Sequence, residues 1–467
     1  MAEMIYGPTF EEMLNPETVE EKTRKAAEAA LEKDPLHPVN LYNIHWKDSK
    51  GRIRCVVLPR ELTGVEARIV VLSGRHFPTG SHKVGAAYSI SMEKQLEREI
   101  VPGRDTLVWP STGNYGIGGA WVGPRLGYDS LVVLPEMMSA ERFEKIACYG
   151  ARYIKTPGCE SNVKEIYDKT KELKEDPKNR ILNQFAEMGN YRFHYHVTGN
   201  SIIQMAGQIQ NEGIGKGKVA AFVSAMGSAG TIAAGDRIKQ VFPDARTVGL
   251  EPIQCPTLYN NGFGGHDIQG IGDKHVTWIH NVHNMDALMC ISDLQCKKGL
   301  QVFSEDAGVD ALLSYGISEG TAKSLQGLFG ISGICNVLGA IKTARFYELG
   351  KEEIVVTVAT DSVDRYYSVL EDLAKEQGKM DKNEAKTRIQ SIFHGAGLDW
   401  IQEGTRNNRD RWHNLKYYTW VEQLGKTVEE LNALKDPEFW LKEQERIKEI
   451  DRKLIQARTE FVLPKSR

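Results

Sequence analysis

The sequence has little that would tie it to a membrane, a polyanion, a metal or an oxidising compartment. No segment supplies the long uncharged apolar run of a membrane-spanning helix. The stretch MAEMIYGPTFEEML at the start lacks the basic-then-apolar pattern of a signal peptide, so a cytoplasmic protein without a membrane partner is expected. A formal net charge of -3 and a pI near 6.5 provide no basic excess of the kind that binds nucleic acid. Cysteine is sparse: seven residues, an odd number with no C-x-x-C pair, suggest neither a disulfide framework nor a zinc ribbon. His266, His275, His280 and His283 lie close in sequence but show no H-E-x-x-H spacing and have no neighbouring cysteine ligands, so no metal is expected. There are no internal repeats or low-complexity segments.

What is present is ordinary globular material, 467 residues of which 41% are hydrophobic, enough for two or three domains. From about residue 68 to 360, short apolar runs alternate with amphipathic segments. Residues 68–72, 106–108, 130–134, 152–155, 219–224, 246–250 and 354–359 have strand character; 140–149 and 163–174 read as helices. Such alternation predicts an α/β fold with parallel sheets covered by helices, and the length suits two sheets better than one. From about residue 373 the chain becomes strongly charged with interspersed tryptophans. There Thr427-Val428-Glu429-Glu430 has capping-box spacing and Asp436-Pro437 places an N-cap before a first-turn proline. The helix that follows carries Trp440, Ile447, Ile450 and Leu454 near one face, as a cover over the core or a subunit contact would.

Four short stretches carry chemistry. In PTGSHKVGAA (78–87), Lys83 follows a turn and opens an apolar segment that reads as the buried start of a helix. A lysine led into a core is either satisfied by its surroundings or a chemical tool, because desolvation makes the neutral, nucleophilic amine accessible. The stretch STGNYGIGGA (111–120) follows a strand and precedes a small-residue helix, so its amides and hydroxyls can form a carboxylate site or simply a turn. In VAAFVSAMGSAGTIAAG (219–235) a buried strand ends in a loop before a helix, the geometry that holds a phosphate; the spacing is neither G-x-x-x-x-G-K nor G-x-G-x-x-G. Finally, IVVTVATDSVDRY (354–366) is a strand ending in Asp361-Ser362, where an α/β protein places ligand contacts or forms a turn.

In this order, PTGSHK, STGN, GSAGT and DSVDRY resemble the pyridoxal-phosphate enzymes of fold type II, in the manner of cysteine synthase and cystathionine β-synthase. LPEMMS (134–139), NQF (183–185), GLEP (249–252) and QGIG (269–272) agree as well, and the resemblance covers roughly residues 65 to 372. It implies two open twisted, mainly parallel sheets flanked by helices, in a catalytic core over 51–372 with a smaller subdomain of about 85–195 inserted in the larger one. An extension over 1–50 and a helical one over 373–467 flank it. It also implies pyridoxal 5'-phosphate as cofactor. Lys83 would form the internal aldimine and then move the α-proton, while Asn114 would bond the ring hydroxyl. Gly227, Ser228, Ala229, Gly230 and Thr231 would grip the phosphate. Ser362 would face the pyridine nitrogen, since alternation lets only one of Asp361 and Ser362 point there. Ser111, Thr112, Gly113, Tyr115 and Gln184 would line the substrate pocket, although Tyr115 stands where the family has a small hydroxyl residue. The activity implied is β-elimination or β-replacement on a small amino acid of the serine, activated-serine or cysteine type, through an aminoacrylate. A dehydratase giving a 2-oxo acid and ammonia is the alternative, and a cofactor-binding subunit without turnover a third. Related enzymes are commonly homodimers, so one is expected.

Overall fold

The apolar runs expected between residues 68 and 360 become strands because their β-branched and aromatic residues suit a pleated surface, buried on both faces except in the largely exposed edge strand at 152–156. The computed structural model describes residues 4–111, 113–159 and 162–462. Eleven strands occur among them. They are β1 (Cys55–Val57), β2 (Arg68–Ser73), β3 (Thr106–Pro110), β4 (Asp129–Pro135), β5 (Arg152–Thr156), β6 (Asn179–Ile181), β7 (Val219–Ala225), β8 (Arg246–Pro252), β9 (Ala287–Ile291), β10 (Ile354–Ala359) and β11 (Ile401–Glu403).

They form two sheets. The larger has the order β1-β2-β10-β7-β8-β9-β11, the smaller β5-β4-β3-β6. The smaller sheet is parallel throughout. In the larger, the five central strands are parallel, and β1 and β11 close the edges in the antiparallel sense. The smaller sheet is drawn from residues 106–181; the larger takes strands from both sides of that stretch. Parallel strands place their C-terminal ends together, and β2, β3, β7 and β10 all end near the motifs singled out above.

Four strands escape the sequence pattern. β1, β6 and β11 are three residues long, and β9 reads ALMCI, whose alanine is depleted in strands and which has one β-branched residue. β11 belongs to the C-terminal extension, so that segment is helical with one edge strand added to the large sheet.

The long last helix, Pro437–Val462, buries Trp440, Ile447, Ile450 and Leu454, the residues expected on one face. It is preceded by a capping box at Thr427 and Glu430. Its partners are the helix Met188–Phe193 and the helix Lys83–Leu96, which begins with the lysine in question. Arg192, 2% exposed, pairs with Glu93 (Nε to Oε1, 2.8 Å) and with Glu443 of the last helix. Removing one member of such a buried pair leaves the other uncompensated, at a cost of about 3–5 kcal/mol. The last helix also meets the start of the chain. Asp451 accepts from the amides of Phe10 (2.8 Å) and Glu11 (3.0 Å), at the amino end of the helix Phe10–Leu14. A carboxylate satisfies orphan donors there and complements the helix dipole.

Candidate active site

Lys83 is placed by a turn that another motif holds down. After β2 the chain runs through Gly80, whose φ of 73° suits glycine, and Arg365 donates to the carbonyls of Gly80 (Nη1, 2.9 Å) and Thr79. Arg365 is itself fully buried. Lys83 is the first residue of its helix, and Nζ donates to Ser228 Oγ at 3.0 Å. Burial pulls its pKa down to about 8, against the opposing effect of Asp273. The amine is thus close to its neutral, nucleophilic form near physiological pH.

Neighbouring residues enclose this amine. The helix Asn114–Arg125 crosses the Lys83 helix closely: a Cβ on Gly118 would lie 3.2 Å from the Lys83 carbonyl oxygen. Ser111 caps that second helix, its Oγ accepting from the amides of Gly113 (2.9 Å) and Gly116 (2.7 Å). After β7, a loop of small residues leads into the short turn Thr231–Ala233 and the helix Ala234–Val241. Ala229 adopts φ 60°, and a Cβ on Gly227 would stand 2.5 Å from the Gly270 carbonyl oxygen. Larger residues are therefore kept out of the loop by backbone, not by chance. Ser228 Oγ also accepts from Asn190 Nδ2 at 3.0 Å. The His82 ring meets Thr231 Oγ1 at 3.1 Å, and burial together with Lys83 drops its pKa to about 3, so the ring is neutral.

One cavity gathers most of these groups. Lys83, Asn114, Tyr115, Gln184, Ser228 and Thr231 line it, with Ser111, Gly113, Gly227 and Ala229. A primary amine, a loop of small residues opening a helical segment, and an asparagine whose Oδ1 is buried without a partner fit an anionic carbonyl cofactor. Residues 48–361 match the family described as "Pyridoxal-phosphate dependent enzyme".

The chain belongs to that family.

Cysteine synthases are among the relatives of this pyridoxal-phosphate enzyme. It is 32% identical to a cysteine synthase of Staphylococcus aureus (strain N315) over 292 residues, 62% of this chain and 84% of the relative. Among solved structures it is similar to a hydrogen sulfide-producing enzyme from Fusobacterium nucleatum, at 27% identity and TM-score 0.55, over 69% of this chain and 88% of that one. A cysteine synthase from Entamoeba histolytica shares the fold at 24% identity and TM-score 0.59, over 73% and 92%. The two helix-flanked sheets are thus those of fold type II, and the cofactor is pyridoxal phosphate.

Within this pyridoxal-phosphate enzyme, Gly230 and Ser362 are the expected residues among the described ones that do not line the cavity. Thr112 lies outside the described residues. Ser362 does not line the cavity: its Oγ donates to Asp364 Oδ1 at 2.7 Å. Asp361 does not line the cavity either; it is fully buried and reaches the site through Asn114, its Oδ2 accepting from Asn114 Nδ2 (2.7 Å) and Tyr366 Oη (2.8 Å). The reason is local. After β10 the chain enters the turn Val363–Arg365, and a serine one residue before it bonds readily to the aspartate two positions on. Tyr115 lines the cavity, but its hydroxyl is committed to the Leu182 carbonyl at 2.9 Å. Gly230 stays behind the loop, where a Cβ would strike Asn190.

Thr360, Ser332 and Ile271 also line the cavity; Thr360 and Ile271 fall within the 354–366 and 269–272 stretches, without a site role expected of them. The segment that carries Ile271 is tied on both sides. Thr277 Oγ1 donates to the Ser228 carbonyl (2.9 Å) and the Trp278 amide to Phe185 O (2.9 Å). From the C-terminal extension, Lys416 Nζ donates to the carbonyls of Trp278 (3.0 Å) and His280 (2.7 Å), and Trp420 Nε1 to Val276 O (2.8 Å). Lys416 is fully buried, and desolvation lowers its pKa to about 7.

Proposed function

We propose that this enzyme carries out β-replacement or β-elimination on a small amino acid of the serine, activated-serine or cysteine type, as a cytoplasmic homodimer. The observation that carries the reading is the half-buried Lys83 amine, its pKa lowered toward neutrality, against the phosphate-loop serine. The cysteine synthase relatives support the reaction class. When bound, pyridoxal phosphate supplies a conjugated electron sink for the substrate's α-carbon.

The chain's own residues do the rest. Lys83 would hold the cofactor covalently through Nζ and, once released by substrate, move the proton of Cα. The 227–231 loop would hold the phosphate, with neutral His82 behind Thr231. Asn114 would bond the ring hydroxyl. Asp361, tied to Asn114, would stand in for Ser362 at the ring nitrogen, where a carboxylate keeps a proton that a serine does not. Ser111, Gly113, Tyr115 and Gln184 form the substrate side of the cavity.

The experiment is a visible absorption titration of the holoenzyme with serine, O-acetylserine, O-phosphoserine, cysteine, threonine and diaminopropionate, followed by product analysis. The expected result is a shift of the cofactor band with one of the first four, with net turnover only on adding a nucleophile if the reaction is replacement, or release of sulfide with a 2-oxo acid and ammonia from cysteine if it is elimination. A 2-oxo acid and ammonia formed from serine or threonine without a nucleophile would assign the dehydratase instead, and a band indifferent to all six would defeat every one of these readings. The dimer is checked by sedimentation at micromolar concentration, where a single species of monomer mass would refute it.

A further inference from the structure

The helix Ala140–Cys148, which follows the LPEMMS stretch, sends one guanidinium into the interior. Arg142 is fully buried and reaches the 111–120, 269–272 and 354–366 stretches at once. Nη1 donates to Gln269 Oε1, next to the cavity-lining Gly270. Nη2 donates to Tyr366 Oη at 3.0 Å, and the guanidinium carbon lies 5.2 Å from the centre of the Tyr366 ring. A Cβ on the cavity-lining Gly113 would stand 3.0 Å from Nε, so the backbone of the STGN loop rests against the same group. Burying a charge is costly. Docking of the helix does not require it, because other side chains of that helix do the docking. Glu141 accepts from the amide and the hydroxyl of Ser368 (2.9 Å each), Lys145 Nζ donates to Asp364 Oδ2 at 2.5 Å, and Phe143 and Ile146 are buried.

Donor chemistry gives the chain of bonds that starts here a fixed direction. A guanidinium only donates, so the Tyr366 oxygen accepts from it and the single phenolic proton must point elsewhere. It points to Asp361 Oδ2, at 2.8 Å. Burial and the neighbouring Asp361 push the Tyr366 pKa well above its ordinary value, so the hydroxyl keeps that proton. Asp361 Oδ2 is therefore an acceptor, and it takes the Asn114 amide by Nδ2 at 2.7 Å and not by its oxygen. Asn114 lines the cavity, and its Oδ1 is left buried without a partner among the described residues. Gly330 makes room for the relay, since a Cβ there would strike both Asp361 and Tyr366. The other buried guanidinium nearby, Arg365, is committed to the carbonyls of Thr79 and Gly80.

We propose that Arg142 is a positioning residue which, through Tyr366 and Asp361, holds the Asn114 amide in one orientation against the ring hydroxyl of the cofactor. The inference rests on the pyridoxal-phosphate reading of the site and on the role given there to Asn114. A buried carboxylate deprived of its cation is favoured to take up a proton, and a carboxylic acid can donate to Asn114 Oδ1. The amide can then turn over without losing its bond. With the guanidinium in place, one orientation alone satisfies Arg142, Tyr366, Asp361 and Asn114 together. The absorption band of the bound cofactor reads this out, because the proton of the ring hydroxyl belongs to the chromophore.

The test compares the holoenzyme with Arg142→Met, Arg142→Lys, Tyr366→Phe and the double variant Arg142→Met/Tyr366→Phe. The readouts are the band of bound pyridoxal phosphate, and kcat and KM on whichever of serine, O-acetylserine, O-phosphoserine and cysteine shifts that band in the wild type. Arg142→Met should bind the cofactor, move its band, and lose about 10- to 10²-fold in kcat with KM within about 3-fold. Arg142→Lys, which can still donate to Tyr366, should restore the band and most of kcat. Because Arg142 acts through Tyr366, the double variant should be no worse than Tyr366→Phe alone. Losses that multiply in the double variant, or a band unmoved by Arg142→Met, would overturn the role of Arg142. Should Arg142→Met not fold, a Lys variant near wild type beside a Phe variant with a moved band supports the relay, and the same band in both defeats it. A wild type with no Lys83-dependent band would instead overturn the reading of the centre.

Discussion

Lys83→Ala holoenzyme should lose turnover on the order of 10⁴-fold or more, because one nitrogen both anchors the cofactor and moves the proton of Cα. The variant should still take up pyridoxal phosphate, since the 227–231 loop and Asn114 do not depend on the lysine for their fold. Uptake should weaken, and the band of a covalently held cofactor should be missing from the absorption spectrum. Lys83→Arg separates the two functions of charge and nucleophile: it keeps a cation in contact with Ser228 but supplies no amine of usable pKa, so it too should be inactive. In the wild-type protein, attachment of added cofactor should quicken as pH rises through about 8, where Nζ becomes neutral, and slow below it. Reconstitution rates across that range check the sign. An active Lys83→Ala variant would remove the basis for the whole mechanism.

The second large effect is expected at Asp361. Asp361→Asn keeps the volume and can still meet Asn114 and Tyr366, but it removes the carboxylate that lies behind Asn114. If that carboxylate maintains a proton on the ring nitrogen, kcat should fall by about 10²- to 10³-fold, the range for losing one preorganised electrostatic contact. Cofactor affinity should change far less. Ser362→Ala is the matched control. Its hydroxyl bonds Asp364 and stays out of the cavity, so kcat should remain within about 3-fold of wild type. A reversal of the two results, with Ser362 essential and Asp361 dispensable, would return the ring nitrogen to the serine.

That pair also shows how far the residues can be read without coordinates. Alternation along a strand fixes that only one of two neighbours points inward, but β10 ends at Ala359, and beyond it the backbone no longer alternates. Which side chain turns in is then decided by a turn, by Asp364 and by Tyr366, all of them tertiary matters. Lys83 was legible because an apolar run directly after a turn is a local pattern, and the 227–231 loop because strand, small residues and helix follow one another in sequence. The same holds for the sheets. The long, valine-rich central strands announce themselves, whereas three-residue edges such as β11 exist only because a neighbouring strand offers them free amides and carbonyls.

Synthesis gives one of these contacts a further meaning. A chain emerges from its amino end and folds by domains as it does so, and residues up to Ala359 are enough to complete the parallel strands of both sheets, Lys83 and the phosphate loop. The carbonyls of Val276 and Trp278 obtain their donors only when Lys416 and Trp420 arrive. A nascent chain therefore completes the strands that carry the cofactor cradle about sixty residues of translation before the 276–278 segment beside the cavity is pinned, so the ability to capture pyridoxal phosphate precedes the final bracing of the site.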